Sequence, residues 1–217
     1  MNPDLRIVPT KDGSNTLFSE QFNEHYHSVH GARQESMHVF IQMGLAHILP
    51  HHNHLHVLEV GGGTLLNARL SFEFLNSSPK TCSYHIAEAY APNQETMEQY
   101  WMNSGIDKDW LHFYSRQQPI QFPGFHLQHS YLKIEEAQLP KQFYHLVYFD
   151  AFAPNTQPEL WQVSIFNRLA EAMVPGGILV SYCAQGQFKR NLKQAGWKVE
   201  AIPGPPGKRE MTRAYKQ

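Results

Sequence analysis

Three short stretches carry residue types able to act together chemically. The first is Val57-Leu58-Glu59-Val60-Gly61-Gly62-Gly63-Thr64, an apolar run ending in an acid and three glycines. Glycines after a strand allow a tight turn and bring a ligand against the backbone. A helix starting just beyond leaves N–H groups free for a carboxylate or phosphate. A plain structural turn or a dinucleotide loop satisfies the same pattern. The second stretch ends in Glu88, one strand–helix–strand unit further along. A carboxylate at that point accepts hydrogen bonds from both ribose hydroxyls of a nucleoside. Glu59, Gly61, Gly63 and Glu88 together point to an adenosine-containing cofactor without separating NAD from S-adenosylmethionine. The third stretch is Asp150-Ala151-Phe152-Ala153-Pro154, directly after the apolar run His145–Phe149. Asp150 is expected to face the cofactor crevice, and Phe152 to stack on a base or line the path to the cofactor. A helix-capping aspartate and a core phenylalanine are the plain alternatives.

Histidines crowd at His51, His52, His54 and His56, and again at His25, His27 and His30. The first group is interrupted by a loop-to-strand change and has no acidic ligand cluster, so it reads as solvated loop residues; the second lacks ligand-like context, and no metal is expected. Cys82 and Cys183 have no CxxC spacing, which fits a reducing cytoplasm.

Positioning these residues requires alternating strands and helices. Asp4–His30 reads as irregular or hairpin structure with a turn at Asp12-Gly13. Met37, Phe40, Ile41, Gly44, Leu45 and Ile48 then recur at helical spacing before Pro50. Strands are expected at His56–Val60, Ser83–Glu88, Phe125–His129, His145–Phe149 and Ile178–Tyr182. Helices are expected at Leu65–Leu75 and Asn93–Met102, from Pro158 onward, and at Gln187–Ala195. Pro175-Gly176-Gly177 reads as a turn, and Lys198–Ile202 with Met211–Tyr215 as a closing antiparallel pair around Pro203–Gly207. The alternation implies a parallel α/β sheet with helices on both faces, which binds ligands beyond the carboxyl ends of its strands. Residues 1–50 are expected to form an N-terminal extension packed on a core of residues 51–217, within one structural domain.

The 217 residues suffice for one such domain, and 17% charged with 41% hydrophobic residues marks a globular chain. No apolar run approaches the roughly 20 residues of a membrane helix, and the N-terminus lacks a secretory core, so a cytoplasmic location without a membrane is expected. Net charge is −1, but Phe188–Lys216 holds eight basic and two acidic residues, a local excess of +6 on a remainder of −7. An anionic partner at that end is expected, with Lys208 and Arg209, after the Pro203–Gly207 turn, as candidate phosphate contacts.

Several stretches resemble the tRNA wobble-uridine methyltransferases that complete 5-methylaminomethyl-2-thiouridine, in a short free-standing form. They include Asp12–Leu17, His25-Tyr26-His27-Ser28, Glu59-Val60-Gly61, Asp150–Pro154 with Pro158–Trp161, Tyr182–Gly186, and Gly204–Met211. The resemblance implies a class I S-adenosylmethionine-dependent methyltransferase, Rossmann-like, with a mostly parallel seven-stranded sheet. It further implies methyl transfer to the aminomethyl group of a tRNA wobble uridine, with Asp150 orienting the amine. Glu59, Gly61 and Gly63 would hold the cofactor's amino-acid end, Glu88 its ribose, and Tyr26 would cover it. Any oxidation step would belong to a separate flavin-dependent oxidase. The chain departs from the family pattern at Gly62, where phenylalanine is usual, and at Leu65, where glycine is usual and a side chain is expected to crowd the cofactor's methionine end. It departs again at His129-Ser130, where an acid usually reaches the adenine amine. A polyamine aminopropyltransferase and a non-catalytic RNA-binding relative are the rival readings. A NAD-linked dehydrogenase lacks any matching hydride-transfer site.

Overall fold

The structure is a computed structural model that describes residues 5–102, 110, 114 and 118–217. Residues 1–4 of the expected N-terminal extension therefore lie outside the described residues. The rest of that extension forms a small antiparallel sheet of β1 (Leu5–Pro9), β2 (Asn15–Ser19) and β3 (Glu24–His25). A continuous helical segment follows over Ala32–Ser36, Met37–Leu45 and Ala46–Ile48. Its middle portion is wound as a π-helix rather than the α-helix that the spacing predicts.

The main sheet contains β4 (His54–Val60), β5 (Thr81–Ala87), β6 (Ile120–Phe122), β7 (Phe125–Ser130), β8 (Tyr144–Phe149), β9 (Met173–Ser181), β10 (Trp197–Pro203) and β11 (Glu210–Lys216). Their order is β10-β11-β9-β8-β4-β5-β7-β6. The pairs from β9 through β8, β4 and β5 to β7 are parallel, whereas β11 pairs antiparallel with both β9 and β10. Among the described residues the sheet has eight strands, not the expected seven. The addition is β6, which folds back on β7 at Gly124 (φ 70°) as an antiparallel edge.

Period-two alternation supplies both faces of this sheet. Along β8, Leu146 and Tyr148 join a core with the helical segment Met37–Leu45 and the helix Leu66–Leu75. Val147 and Phe149 join a second core with the helix Val163–Ala172 and the helix Gly186–Gln194. Both faces are thus covered, as a parallel sheet requires. The stretch after Pro158 divides into a 3-10 turn, Pro158–Trp161, and the helix Val163–Ala172, separated by Gln162 in extended conformation. Pro175-Gly176-Gly177 does not precede its strand but bulges out of β9. Pairing with β8 jumps from Tyr144–Met173 to Leu146–Ile178, and Gly176 takes a left-handed conformation (φ 78°) to permit it. Among the described residues, no helix is long and apolar enough to cross a membrane.

Candidate active site

A cavity of about 300 Å³ opens beyond the carboxyl ends of β4, β5 and β8, where such sheets place ligands. Tyr26, Gly61, Gly63, Glu88, Asp150, Phe152 and Lys208 all line it. Glu59 and Arg209 do not.

The glycine loop leaves β4 at Val60. Gly61 has φ 87° and lies so close to β8 that a Cβ there would meet the Asp150 carbonyl oxygen at 2.6 Å. Gly63 has φ 46°, and a Cβ on it would strike the Tyr26 ring at 2.8 Å. These approaches explain why glycine is needed at both positions. Leu65 also takes the left-handed conformation (φ 61°), at the residue that caps the helix Leu66–Leu75. Its side chain is fully buried in the core and does not line the cavity. The expected crowding of the cofactor therefore does not occur. The backbone keeps the glycine-like geometry, while the leucine points into the interior.

Glu88 lies just past β5, and its two oxygens accept hydrogen bonds from the backbone N–H of Gly63 (3.0 Å) and of Tyr90 (2.6 Å). Burial raises its proton affinity, and those two donors oppose the rise. The carboxylate thus ties the glycine loop to β5 and retains lone pairs toward the cavity.

Glu59 is wholly buried beneath this floor. Its oxygens accept from Asn67 Nδ2 (2.8 Å) and the Tyr84 hydroxyl (2.9 Å). The same Asn67 Nδ2 donates to Asp150 Oδ2 at 2.7 Å. The two amide hydrogens of Asn67 therefore join two acids, one in the core and one at the cavity. Burial, reinforced by Asp150, pushes Glu59 up to about 8. Burial pushes Asp150 up to about 7; Asn67 and Lys208 oppose this, and Glu35 adds to it.

Lys208 reaches the cavity from the β10–β11 turn, but its ammonium is bonded to Glu35 at 2.6 Å and lies 4.8 Å from the Tyr182 ring centroid. Within the basic C-terminal stretch, Lys189 pairs with Glu210 and Arg213 with Glu200. Arg209 is exposed on the turn. Phe152 packs against Tyr26 and Phe22, at ring-centroid distances of 5.1 and 4.8 Å. The Tyr26 hydroxyl donates to the Tyr90 carbonyl, closing an aromatic wall over the glycine loop.

Asn67, Glu35, Tyr182 and His27 are site residues that sequence reasoning assigned no role. His27 bonds Thr64 at 2.8 Å, and burial pushes it down to about 4. Only Asn67 carried a usable signal: a polar residue in the first turn of a helix that starts on a glycine loop.

An adenosine cofactor fits this set. The cavity volume lies at the small end of the range for ligand sites, glycine backbone forms one wall, and Glu88 offers acceptors at the neighbouring strand end. Residues 100–217 match the model of a family described as S-adenosyl-L-methionine-dependent methyltransferases. The chain is similar to the tRNA 5-methylaminomethyl-2-thiouridine biosynthesis bifunctional protein MnmC of Cupriavidus necator, at 27% identity over 90% of this chain and 32% of that protein. The protein of that name from Idiomarina loihiensis is 27% identical over 91% of this chain and 38% of its own length. The chain thus spans about a third of the length of these curated relatives. In fold it is similar to MNMC2 from Aquifex aeolicus, with a TM-score of 0.79 and 23% identity over 100% of this chain and 72% of the other. A probable spermidine synthase from Corynebacterium glutamicum aligns with a TM-score of 0.54 and 15% identity, over 98% and 77% of the two chains. The match over residues 100–217, more than half of the sequence, places the chain in the S-adenosyl-L-methionine-dependent methyltransferase family.

Proposed function

We propose that the chain methylates the 5-aminomethyl group of a tRNA wobble uridine, giving the 5-methylaminomethyl form. The observation that carries this reading is Asp150: a cavity-lining carboxylate at the end of β8, fixed through one oxygen by Asn67 and held near neutrality by burial. The names of the curated relatives supply the substrate class. When bound, the cofactor supplies an electrophilic methyl on a sulfonium, whose carbon–sulfur bond breaks as the new carbon–nitrogen bond forms.

The chain's own residues do the rest. A primary amine is an ammonium at neutral pH and has no lone pair to attack with. The amine loses one proton to water before attack; Asp150 accepts a hydrogen bond from the neutral amine, orients its lone pair at the methyl carbon, and stabilises the ammonium that forms on transfer. Glu88 accepts from the ribose, Gly61 and Gly63 admit the cofactor, and Tyr26 and Phe152 cover it and the base. Glu59 acts at one remove, through Asn67. Lys208 and Arg209 are assigned to phosphate contacts at the mouth, where Lys208 must exchange its Glu35 partner for a phosphate. In this reading a separate flavin-dependent oxidase frees the aminomethyl group beforehand.

One observation favours a second reading. The cavity is lined by Glu24, Glu35, Glu88, Glu135, Asp150 and Glu159 against Lys133 and Lys208, a balance that suits a polycationic amine. A polyamine aminopropyltransferase would use it. Incubation with labelled cofactor and tRNA, followed by mass spectrometry of the nucleosides, is expected to show one added methyl on the wobble uridine. Unmodified tRNA, together with aminopropyl transfer from decarboxylated cofactor to a diamine, would reverse the choice.

A further inference from the structure

A second cavity, of about 290 Å³, lies on the other side of the glycine loop. Gly61 and Gly63 line the first cavity, whereas Thr64 and Leu66 line this one, with Asp12, Ser14, Arg33, Arg69, Tyr100 and Trp101 around them.

Two of these residues hold donors that the protein leaves unspent. Arg69, on the helix Leu66–Leu75, is half-buried, and its guanidinium makes no hydrogen bond or ion pair among the described residues. Burial and the neighbouring Arg33 both disfavour its charge. Glu73, the acid whose charge favours it, is already bonded to Arg33 at 2.8 Å. Trp101, on the helix Gln94–Met102, is 1% exposed, and its indole N–H has no acceptor among the described residues. Buried donors without partners are uncommon and each costs free energy.

Among the other polar residues of the lining, Thr64, Tyr100 and Asp12 are occupied. The Thr64 hydroxyl is bonded to His27, and the Tyr100 hydroxyl donates to the Asn15 carbonyl. Asp12, the one acid of the lining, spends its oxygens on Thr10, on the hydroxyl and N–H of Ser14, and on the Gln34 N–H.

We infer that this cavity is a second ligand site, which takes a phosphate group held by the Arg69 guanidinium with the Arg33 guanidinium beside it, the buried Trp101 ring forming part of the wall. The two guanidinium groups come from two separate helices. A carboxylate offers only two oxygens, whereas a phosphate offers three or four in a tetrahedral arrangement that fits guanidinium forks. The phosphate belongs either to the backbone of a bound tRNA or to a small phosphorylated molecule. The site stands on its own residues and does not depend on the methyl-transfer reading.

Titration with inorganic phosphate tests it, against sodium chloride at matched ionic strength. The wild-type melting temperature is expected to rise saturably, and the Trp101 indole N–H resonance, assigned with Trp101→Phe, to move. Arg69→Gln is expected to lose both responses while binding S-adenosylmethionine like the wild type, which also shows that it is folded. Arg69→Lys, which keeps the charge without the fork, should lose most of the response. No saturable response in the wild type, or an unchanged one in folded Arg69→Gln, overturns the site. A tRNA salt series then separates the two sources. If a backbone phosphate is the occupant, Arg69→Gln lowers the salt slope of tRNA binding by about 0.7–0.9. If the occupant is a small molecule, tRNA binding is the same in both proteins while the phosphate responses still differ. Absence of methyl transfer would leave the phosphate titration unaffected.

Discussion

The two ends of the central sheet are built from the same three strands but carry opposite chemistry. β4 begins with His54 and His56 and carries Glu59 next to its last residue, Val60. β5 contains His85 and runs into Glu88, and β8 contains His145 and runs into Asp150. At the amino ends, burial and mutual repulsion push His56 and His145 down to about 4. At the carboxyl ends, burial pushes Glu59 and Asp150 up to about 8 and about 7. Both ends respond to desolvation by disfavouring the charged form, with opposite sign because one set is basic and the other acidic. Perturbed titration alone therefore does not mark a site. The acid end lines a cavity with backbone glycine at its wall. The histidine end packs on itself: the His56 N–H donates to His145 Nδ1 at 2.9 Å, and the His56 ring lies 3.9 Å from the Phe143 ring. It lines neither cavity described above, and no grouping suited to a metal occurs among the described residues.

The sharpest way to break this contrast is to remove one group from each end. Asp150→Ala is expected to lower methyl transfer by about 10²–10³-fold, the usual loss when one group stabilising transition-state charge is removed, with cofactor affinity nearly unchanged in calorimetry. His145→Phe, at the far end of the same strand, should leave turnover within error of wild type. Equal loss in both would mean that the strand, not the carboxylate, is what matters.

Leu65→Gly comes next. Truncating a buried leucine to alanine costs about 2–5 kcal/mol, and the last carbon adds to that, whereas relief of one left-handed residue returns only about 1–2 kcal/mol. A net loss of stability is expected in denaturant unfolding, without tighter cofactor binding. A gain in affinity would restore the crowding expectation. Glu88→Ala should then weaken cofactor binding by roughly 1–3 kcal/mol through lost charged hydrogen bonds, read by calorimetry.

The smallest effects lie in the pH dependence of stability, where the two ends should slope in opposite directions. His56 and His145 titrate lower in the fold than in the unfolded chain, whose value is about 6.5. Their contribution is complete above that value and is lost as pH falls through about 4. Glu59 titrates higher in the fold than the roughly 4.3 of a free glutamate, so its contribution is complete below that pH and is lost as pH rises through about 8. His145→Phe should flatten the acid limb of a melting-temperature profile, and Glu59→Gln the alkaline limb. An unaltered profile in either variant removes that group from the account.

Much of this contrast was legible in the residues themselves. Strand periodicity, the glycine run and the positions of Glu88 and Asp150 located the cavity, because parallel strands force their carboxyl-end residues together. What stayed hidden depends on side-chain direction. Leu65 stands in a ligand-binding motif, yet its side chain turns into the core, because a left-handed residue aims its Cβ away from the loop's open face. The strand was expected to begin at His56, with His54 left to the preceding loop; it already begins at His54, which bonds Thr81 and Ser83 of β5, while His56 packs against Phe143 and His145. Lys208 looked available for phosphate because its partner, Glu35, is remote in sequence. Asn67 could be placed on its helix but not between two acids, a relation that exists only once β4 and β8 are neighbours.

The Glu35–Lys208 pair also bears on how the molecule assembles. The β4–helix–β5 unit is built from segments adjacent in sequence, whereas the mouth of the cavity closes only when residues near opposite ends of the sequence meet. Such non-local closure is entropically expensive. A ligand that touches both Tyr26 and Lys208 therefore has little hold on partly folded species and stabilises only the finished molecule, by RT ln(1 + [L]/Kd). Ligand-dependent melting of this chain consequently measures the cooperativity of the whole domain, not the local firmness of its glycine loop.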